Sequence, residues 1–218
     1  MTAVKICGLT RAEDVRAAEA AGASYGGVIL AEGSPRTVAP GRVNEIFAGS
    51  SLPRVGVVVN GTTFRVIDLV EQLQLSVLQL HGDEPPNLAG AVRRRTGAEV
   101  WKAVAVRSAS DFQRAVETYE GFVDGLLLDG WSPNARGGTG ARFPWEEVAE
   151  VRGRLQTELR LVVAGGLNAT NVVEIVDLLT PDVVDVSSGV ERAPGIKDEN
   201  LIRSFAEAAR SVTHNGVG

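Results

Sequence analysis

Eight apolar runs of strand length recur along the chain, each followed by a stretch of helical period. The runs are "AVKIC", "YGGVIL", "RVGVVV", "SVLQL", "EVWKAVAV", "VDGLLLD", "LRLVVAG" and "VVDVSS". A continuous apolar run bounded by turn residues reads as a strand buried on both faces, as in a parallel sheet covered by helices. The helical stretches begin with "TRAEDVRAAEAAG" and then centre on 40–48, 63–74, 84–96, 108–119, 143–155, 168–179 and 198–211. Thr10, Asp83, Ser108 and Asn168 are expected as N-caps, Pro85 and Pro86 suit a first helical turn, and Gly22 closes the first helix. No linker, charge block or low-complexity segment interrupts the repeat. Right-handed crossovers set successive strands side by side. Eight such units close most simply into a (β/α)8 barrel, one α/β domain over residues 1–218. The alternative on this pattern is an open doubly wound sheet. No G-x-G-x-x-G follows the first strand, which removes the usual sign of a dinucleotide site.

Composition narrows the partners. A formal charge of -5 gives no drive for counterion release, so nucleic acid and anionic lipid surfaces are not expected partners. No apolar stretch reaches the ~20 residues of a membrane span, and the chain enters a strand pattern at once, with no room for a signal peptide. One cysteine cannot form an internal disulfide, and no cluster has metal-ligand spacing. A cytoplasmic protein without metal is the expectation. Aromatics make up only 5% of the chain, which suits aliphatic layers between helices and sheet.

In a barrel of this kind the active site lies at the C-terminal ends of the strands. That rule gathers Cys7, His81, Asp129, Asp185, Ser187 and Ser188, with Arg36 in the loop after the second strand. A free cysteine is usually a small buried hydrophobe. At the rim, beside Gly8, Cys7 also qualifies as a proton acceptor. Asp129 follows three leucines; a carboxyl there either caps the loop or acts as a general acid. Arg36 reads as a solvated arginine or as a two-pronged clamp on a carboxylate. His81 reads as a hydrogen-bonded structural histidine or as a group facing substrate. Lys5 shares strand parity with Cys7, so its side chain should face the interior and need a partner; Asp185, on the neighbouring eighth strand, is the expected counter-ion.

The glycine-rich loops "AGGLN" (164–168) and "SSGVE" (187–191) follow the seventh and eighth strands. Loops in those places frequently cradle a phosphate with backbone N–H groups, and no basic side chain is required. Gly165, Gly166, Ser188 and Gly189 are the candidate phosphate binders. "RGGTG" (136–140), after the sixth strand, suggests a flap made by Gly137, Gly138, Thr139 and Gly140.

Together "VKICGLT", "LQLHGDE", "LLLDG…GGTG…F.W", "AGGLN..NV" and "DVSSGVE..PGIKD" resemble phosphoribosylanthranilate isomerase, an enzyme of tryptophan biosynthesis. The five motifs run in the family's order from residue 4 to residue 198. The resemblance implies a TIM barrel with no cofactor and no metal. It implies the Amadori rearrangement of N-(5-phosphoribosyl)anthranilate to 1-(2-carboxyphenylamino)-1-deoxyribulose 5-phosphate. It makes Cys7 the general base and Asp129 the general acid. It gives Arg36 the anthranilate carboxylate and gives the two glycine loops the phosphate; His81 and Asp185 join the substrate-binding set. Leu30, Ala31 and Thr37 stand where the family commonly has aromatic residues, which implies a smaller wall. Phe143-Pro144-Trp145 replaces the family's "FDW".

Two other readings compete. One is a different phosphosugar aldose-ketose isomerase on the same barrel; the histidine-pathway isomerase carries an aspartate where this chain has Cys7. The other is a catalytically silent barrel that only binds a phosphorylated ligand. The expected partner in each case is a phosphorylated small molecule, and the protein is a monomer or a homodimer.

Overall fold

The computed structural model describes residues 1–129, 145–155 and 157–212. Eight parallel strands form a closed barrel in chain order. They are β1 (Ala3–Ile6), β2 (Tyr25–Ile29), β3 (Arg54–Val58), β4 (Val77–Leu80), β5 (Glu99–Ala105), β6 (Gly125–Asp129), β7 (Arg160–Ala164) and β8 (Val183–Val186). The helices that alternate with them are α1 (Ala12–Ala20), α2 (Pro40–Ile46), α3 (Thr63–Leu73), α4 (Pro86–Thr96), α5 (Ala109–Tyr119), α6 (Trp145–Arg154), α7 (Val172–Leu179) and α8 (Glu199–Ser211). β1 pairs with both β2 and β8, so the sheet has no edge and the open-sheet alternative is set aside.

The strands are buried on both faces, and their two residue parities serve different layers. Val4, Ile6, Val28, Leu78, Leu80, Val100, Leu126, Leu128, Leu161, Val163, Val184 and Val186 point outward and join the helices in one apolar shell. Val55, Val77, Trp101, Ala103, Leu127, Val162, Ala164 and Val183 take the other parity and fill the barrel. At its lower end Tyr25 meets Trp101 edge to face, with ring centroids 5.1 Å apart. Few aromatics are needed because aliphatic residues fill both layers.

Several helix starts depart from expectation. Ser108 does cap α5, accepting from the Asp111 amide. Thr10 does not cap α1; its hydroxyl donates instead to the Gly195 carbonyl at 2.6 Å. Asp83 precedes α4 by too much, because Glu84 intervenes and Pro85 takes the cap position, with Pro86 opening the helix. Asn168 closes a turn, accepting from the Thr170 amide, and α7 begins only after Asn171. Between β8 and α8 lie a 3-10 turn at Ser188–Val190 and two short antiparallel strands, β9 (Glu191–Ala193) and β10 (Ile196–Lys197). Among the described residues, no helix is long and apolar enough to cross a membrane.

Candidate active site

The inward parity that fills the barrel turns polar near the C-terminal ends of the strands. Lys5, Gln79 and Asp185 form one level, with Lys5 opposite Asp185 in the register of β1 and β8. Cys7, His81 and Ser187 stand two residues further along, at the mouth, joined there by Asp129 at the end of β6. A cleft of about 510 Å³ opens there. Its wall includes Cys7, Gln79, His81, Asp129 and Asp185, with Gly165, Gly166, Ser187 and Ser188 from the loops after β7 and β8. A second hollow, over β4 and β5, shares Val59, His81 and Asp129 with it.

Lys5 is fully buried and its ammonium donates to Asp185 Oδ2 at 2.7 Å and to Gln79 Oε1 at 2.9 Å. The expected counter-ion is therefore in place. Burial pushes Lys5 down, but the Asp185 carboxylate and Cys7 outweigh it, and the net direction is up; the ammonium keeps its charge. Asp185 Oδ1 is buried in the cleft wall and has no hydrogen-bond partner among the described residues. A buried acceptor without a partner is costly, and facing a cleft it suits a ligand hydroxyl.

Cys7 is only 6% exposed yet lines the cleft. Burial pushes its thiol up, the Lys5 ammonium pulls it down, and the Asp185 carboxylate pushes it up again; the net direction is up. The resting group is a neutral thiol. Gly27 makes room for it: a Cβ at Gly27 would meet Cys7 Sγ at 3.0 Å and Lys5 Cε at 3.1 Å. Asp129 ends β6 on the other side of the same cleft, its side chain 42% exposed. His81 Nε2 lies 3.4 Å from Asp129 Oδ2.

Arg36 is found outside the cleft wall. Its Nε and Nη2 form a two-pronged contact with Glu191, at 2.8 and 2.6 Å. Lys197 reinforces that carboxylate at 2.9 Å and donates to the Ser187 carbonyl at 3.0 Å. Burial pushes Glu191 up, but Arg36 and Lys197 together hold it below the usual carboxylate range. The Arg36 stem crosses Gly8, where a Cβ would come within 2.7 Å of its Cδ and where φ is +73°. Of Leu30, Ala31 and Thr37, only Ala31 lines the cleft; the Thr37 hydroxyl instead donates within its own loop.

The two glycine loops press on each other. A Cβ at Gly189 would stand 1.9 Å from the Leu167 carbonyl oxygen. That contact draws the loop after β8 against the loop after β7, where Gly165 and Gly166 take φ of +91° and +68°. Gly165, Gly166 and Ser188 line the cleft, and Gly189 follows Ser188 against the loop after β7. Gly137, Gly138, Thr139 and Gly140 lie outside the described residues, as do Phe143 and Pro144.

Sequence reasoning passed over Gln79, Glu191 and Lys197. A polar residue at an inward position of an otherwise apolar strand was the available signal for Gln79. Glu191 and Lys197 stand in the motif "DVSSGVE..PGIKD" but were given no role, because their partners come together only through the β9–β10 hairpin.

The family model for N-(5'-phosphoribosyl)anthranilate isomerase matches residues 4–208. The chain belongs to this family. It is 40% identical over 214 residues to N-(5'-phosphoribosyl)anthranilate isomerase of Acidithiobacillus ferrooxidans, covering 96% of this chain and 98% of that protein. The crystal structure of phosphoribosyl anthranilate isomerase from Thermotoga maritima superposes with a TM-score of 0.86 at 37% identity, over 97% of this chain and all of that one (100%). A phosphoribosyl anthranilate isomerase in complex with reduced 1-(o-carboxyphenylamino)-1-deoxyribulose 5-phosphate gives a TM-score of 0.84 at 35% identity, over 97% of this chain and 100% of that one. Like its relatives, this phosphoribosylanthranilate isomerase family member is an isomerase on a (β/α)8 barrel.

Proposed function

We propose that the chain rearranges N-(5'-phosphoribosyl)anthranilate to 1-(2-carboxyphenylamino)-1-deoxyribulose 5-phosphate in tryptophan biosynthesis, with Asp129 as general acid and Cys7 as general base. The observation that carries the reading is the single cleft that Cys7 and Asp129 enter from different strands, with the two glycine loops between them in its wall. Asp129 gives its proton to the ribose ring oxygen. The C1–O bond breaks toward that oxygen, and the anthranilate nitrogen takes up the positive charge as an iminium. Cys7, having first lost its thiol proton to solvent, then removes the proton from C2 as the thiolate. The electron pair moves into the C1–C2 bond, and the resulting enolamine relaxes to the ketone. The iminium is the electron sink, and apart from the C1–O cleavage the steps as written are proton transfers.

The other residues bind and orient. Backbone N–H groups at Gly165, Gly166, Ser188 and Gly189 suit the phosphate, whose charge needs no basic side chain there. Asp185 Oδ1 accepts from a sugar hydroxyl, which supplies the partner it lacks. His81 borders the substrate beside Asp129. Arg36 keeps its Nη1 edge for the anthranilate carboxylate while Glu191 holds the other edge.

Anthranilate-type fluorescence reports the reaction directly. The purified protein is expected to abolish the substrate's emission catalytically; saturable binding of the substrate without turnover would instead make this a silent phosphate-ligand barrel. Gly189→Ala tests the cradle. Its new Cβ cannot coexist with the Leu167 carbonyl at 1.9 Å, so the two loops must part. The expected result is an increase in KM of about tenfold or more, equivalent to ~1.4 kcal/mol of lost phosphate binding, with a smaller effect on kcat. Steady-state kinetics checks it.

A further inference from the structure

A line of side chains crosses the barrel from the buried ammonium to His81, which stands beside Asp129, and its hydrogen bonds can have only one sense. Lys5 has donors alone, so the Gln79 atom 2.9 Å from its Nζ must be the amide oxygen. The Gln79 NH2 group therefore faces the other way, 2.9 Å from His81 Nδ1. That group only donates, so Nδ1 must carry a lone pair. The imidazole is then neutral, with its proton on Nε2, the atom that lies 3.4 Å from Asp129 Oδ2. Reversing the Gln79 amide would set its NH2 against a fully buried ammonium that Asp185 holds in place.

We propose that Lys5 and Gln79 are positioning residues that fix His81 as its Nε2–H tautomer, so that the ring presents a donor to the Asp129 carboxylate as that carboxylate forms. The role rests on the reading of Asp129 as general acid. When Asp129 delivers its proton to the ring oxygen it gains a full negative charge, and the His81 N–H stabilises that charge without giving up its own proton. In the other tautomer a lone pair would face the new carboxylate and oppose the step. Lys5 thus serves two ends of the site: it holds Asp185 on the Cys7 side, and through Gln79 it orients the ring on the Asp129 side.

Long-range proton–nitrogen NMR of 15N-labelled protein reads the tautomer independently of activity. The chain has two histidines, and His214→Gln identifies the signals of the other. Wild-type His81 is expected to show a lone-pair Nδ1 and a protonated Nε2 at neutral pH. Gln79→Glu keeps the shape but offers an oxygen to Nδ1, and should move the proton to Nδ1. Gln79→Met removes the donor and should leave a mixture of tautomers. Both variants should lower kcat by about 10–100-fold, the worth of one hydrogen bond to a charged group, with KM changed less than about threefold. Four results overturn the proposal. They are a wild-type ring protonated on Nδ1 or on both nitrogens, a pure Nε2–H ring in both variants, an altered tautomer with kcat within about twofold, and a lost kcat with the tautomer unmoved. If instead wild-type protein fails to turn over substrate while the NMR result is as expected, the isomerase reading fails, and with it the acid role of Asp129, while the tautomer lock stands.

Discussion

Cys7→Ser is expected to turn over N-(5'-phosphoribosyl)anthranilate about 10²–10⁴-fold more slowly than wild type, the range a positioned base contributes. Serine fills nearly the same space beside Gly27, so the cleft keeps its shape. Its hydroxyl is too weak an acid to supply an anion near neutrality, and the proton at C2 then has no acceptor of matched strength. Product affinity should stay within about threefold, because the phosphate, carboxylate and sugar contacts are those proposed for other residues. A variant retaining more than about a tenth of wild-type turnover would remove Cys7 from the mechanism. The pH dependence adds a second reading. Burial holds the Cys7 thiol above its ordinary value, with Lys5 only partly offsetting it. A base must lose its proton to act, so in Asp129→Asn, where no carboxyl proton is lost as pH rises, the residual kcat/KM should climb with pH through neutrality and go on climbing beyond the range of an ordinary cysteine. Cys7→Ser should lack that climb.

Asp129→Asn is expected to lose a similar ~10²–10⁴-fold in kcat, by a different route. The amide occupies the position beside His81 but has no proton to give to the ring oxygen. The furanose then stays closed, no iminium forms, and the C2 proton keeps its ordinary, very weak acidity. Because the loss precedes the Cys7 step, the double variant should be little slower than the worse single one, as for groups that act as a unit. Rapid-mixing fluorescence on the two single variants and the double variant checks this. Independent, multiplying losses would show that the two residues do not serve one reaction coordinate.

Much of this architecture was legible in the chain because parallel strands buried on both faces leave a simple record. Eight apolar runs with alternating helices gave the barrel, and strand parity placed Lys5 and Cys7 inside. The counter-ion was legible for the same reason: β1 and β8 must be neighbours once the sheet closes, and Lys5 and Asp185 fall in register. What escaped depends on long-range encounters that no local pattern encodes. Thr10 looked like a cap, yet its hydroxyl is taken by Gly195, far along the chain. Asn168 and Asp83 also looked like caps, but longer strand-to-helix loops carry them away from the helix starts. Arg36 read as a clamp for a ligand carboxylate; its present partner, Glu191, arrives through a hairpin of three- and two-residue strands too short to announce themselves. Gln79 went unassigned because a lone amide in an apolar strand has no preferred role until its two neighbours, one charged and one aromatic, fix which way it points.

The most direct test of the account is the position of the bound product analogue, reduced 1-(o-carboxyphenylamino)-1-deoxyribulose 5-phosphate, in crystals of this protein. Its phosphate is expected against Gly165, Gly166 and Ser188, Cys7 Sγ at about 3–3.5 Å from C2, and the Asp129 carboxyl within hydrogen-bond reach of the O4 hydroxyl. A phosphate seated elsewhere, or a sugar that cannot touch Cys7 and Asp129 together, would contradict it.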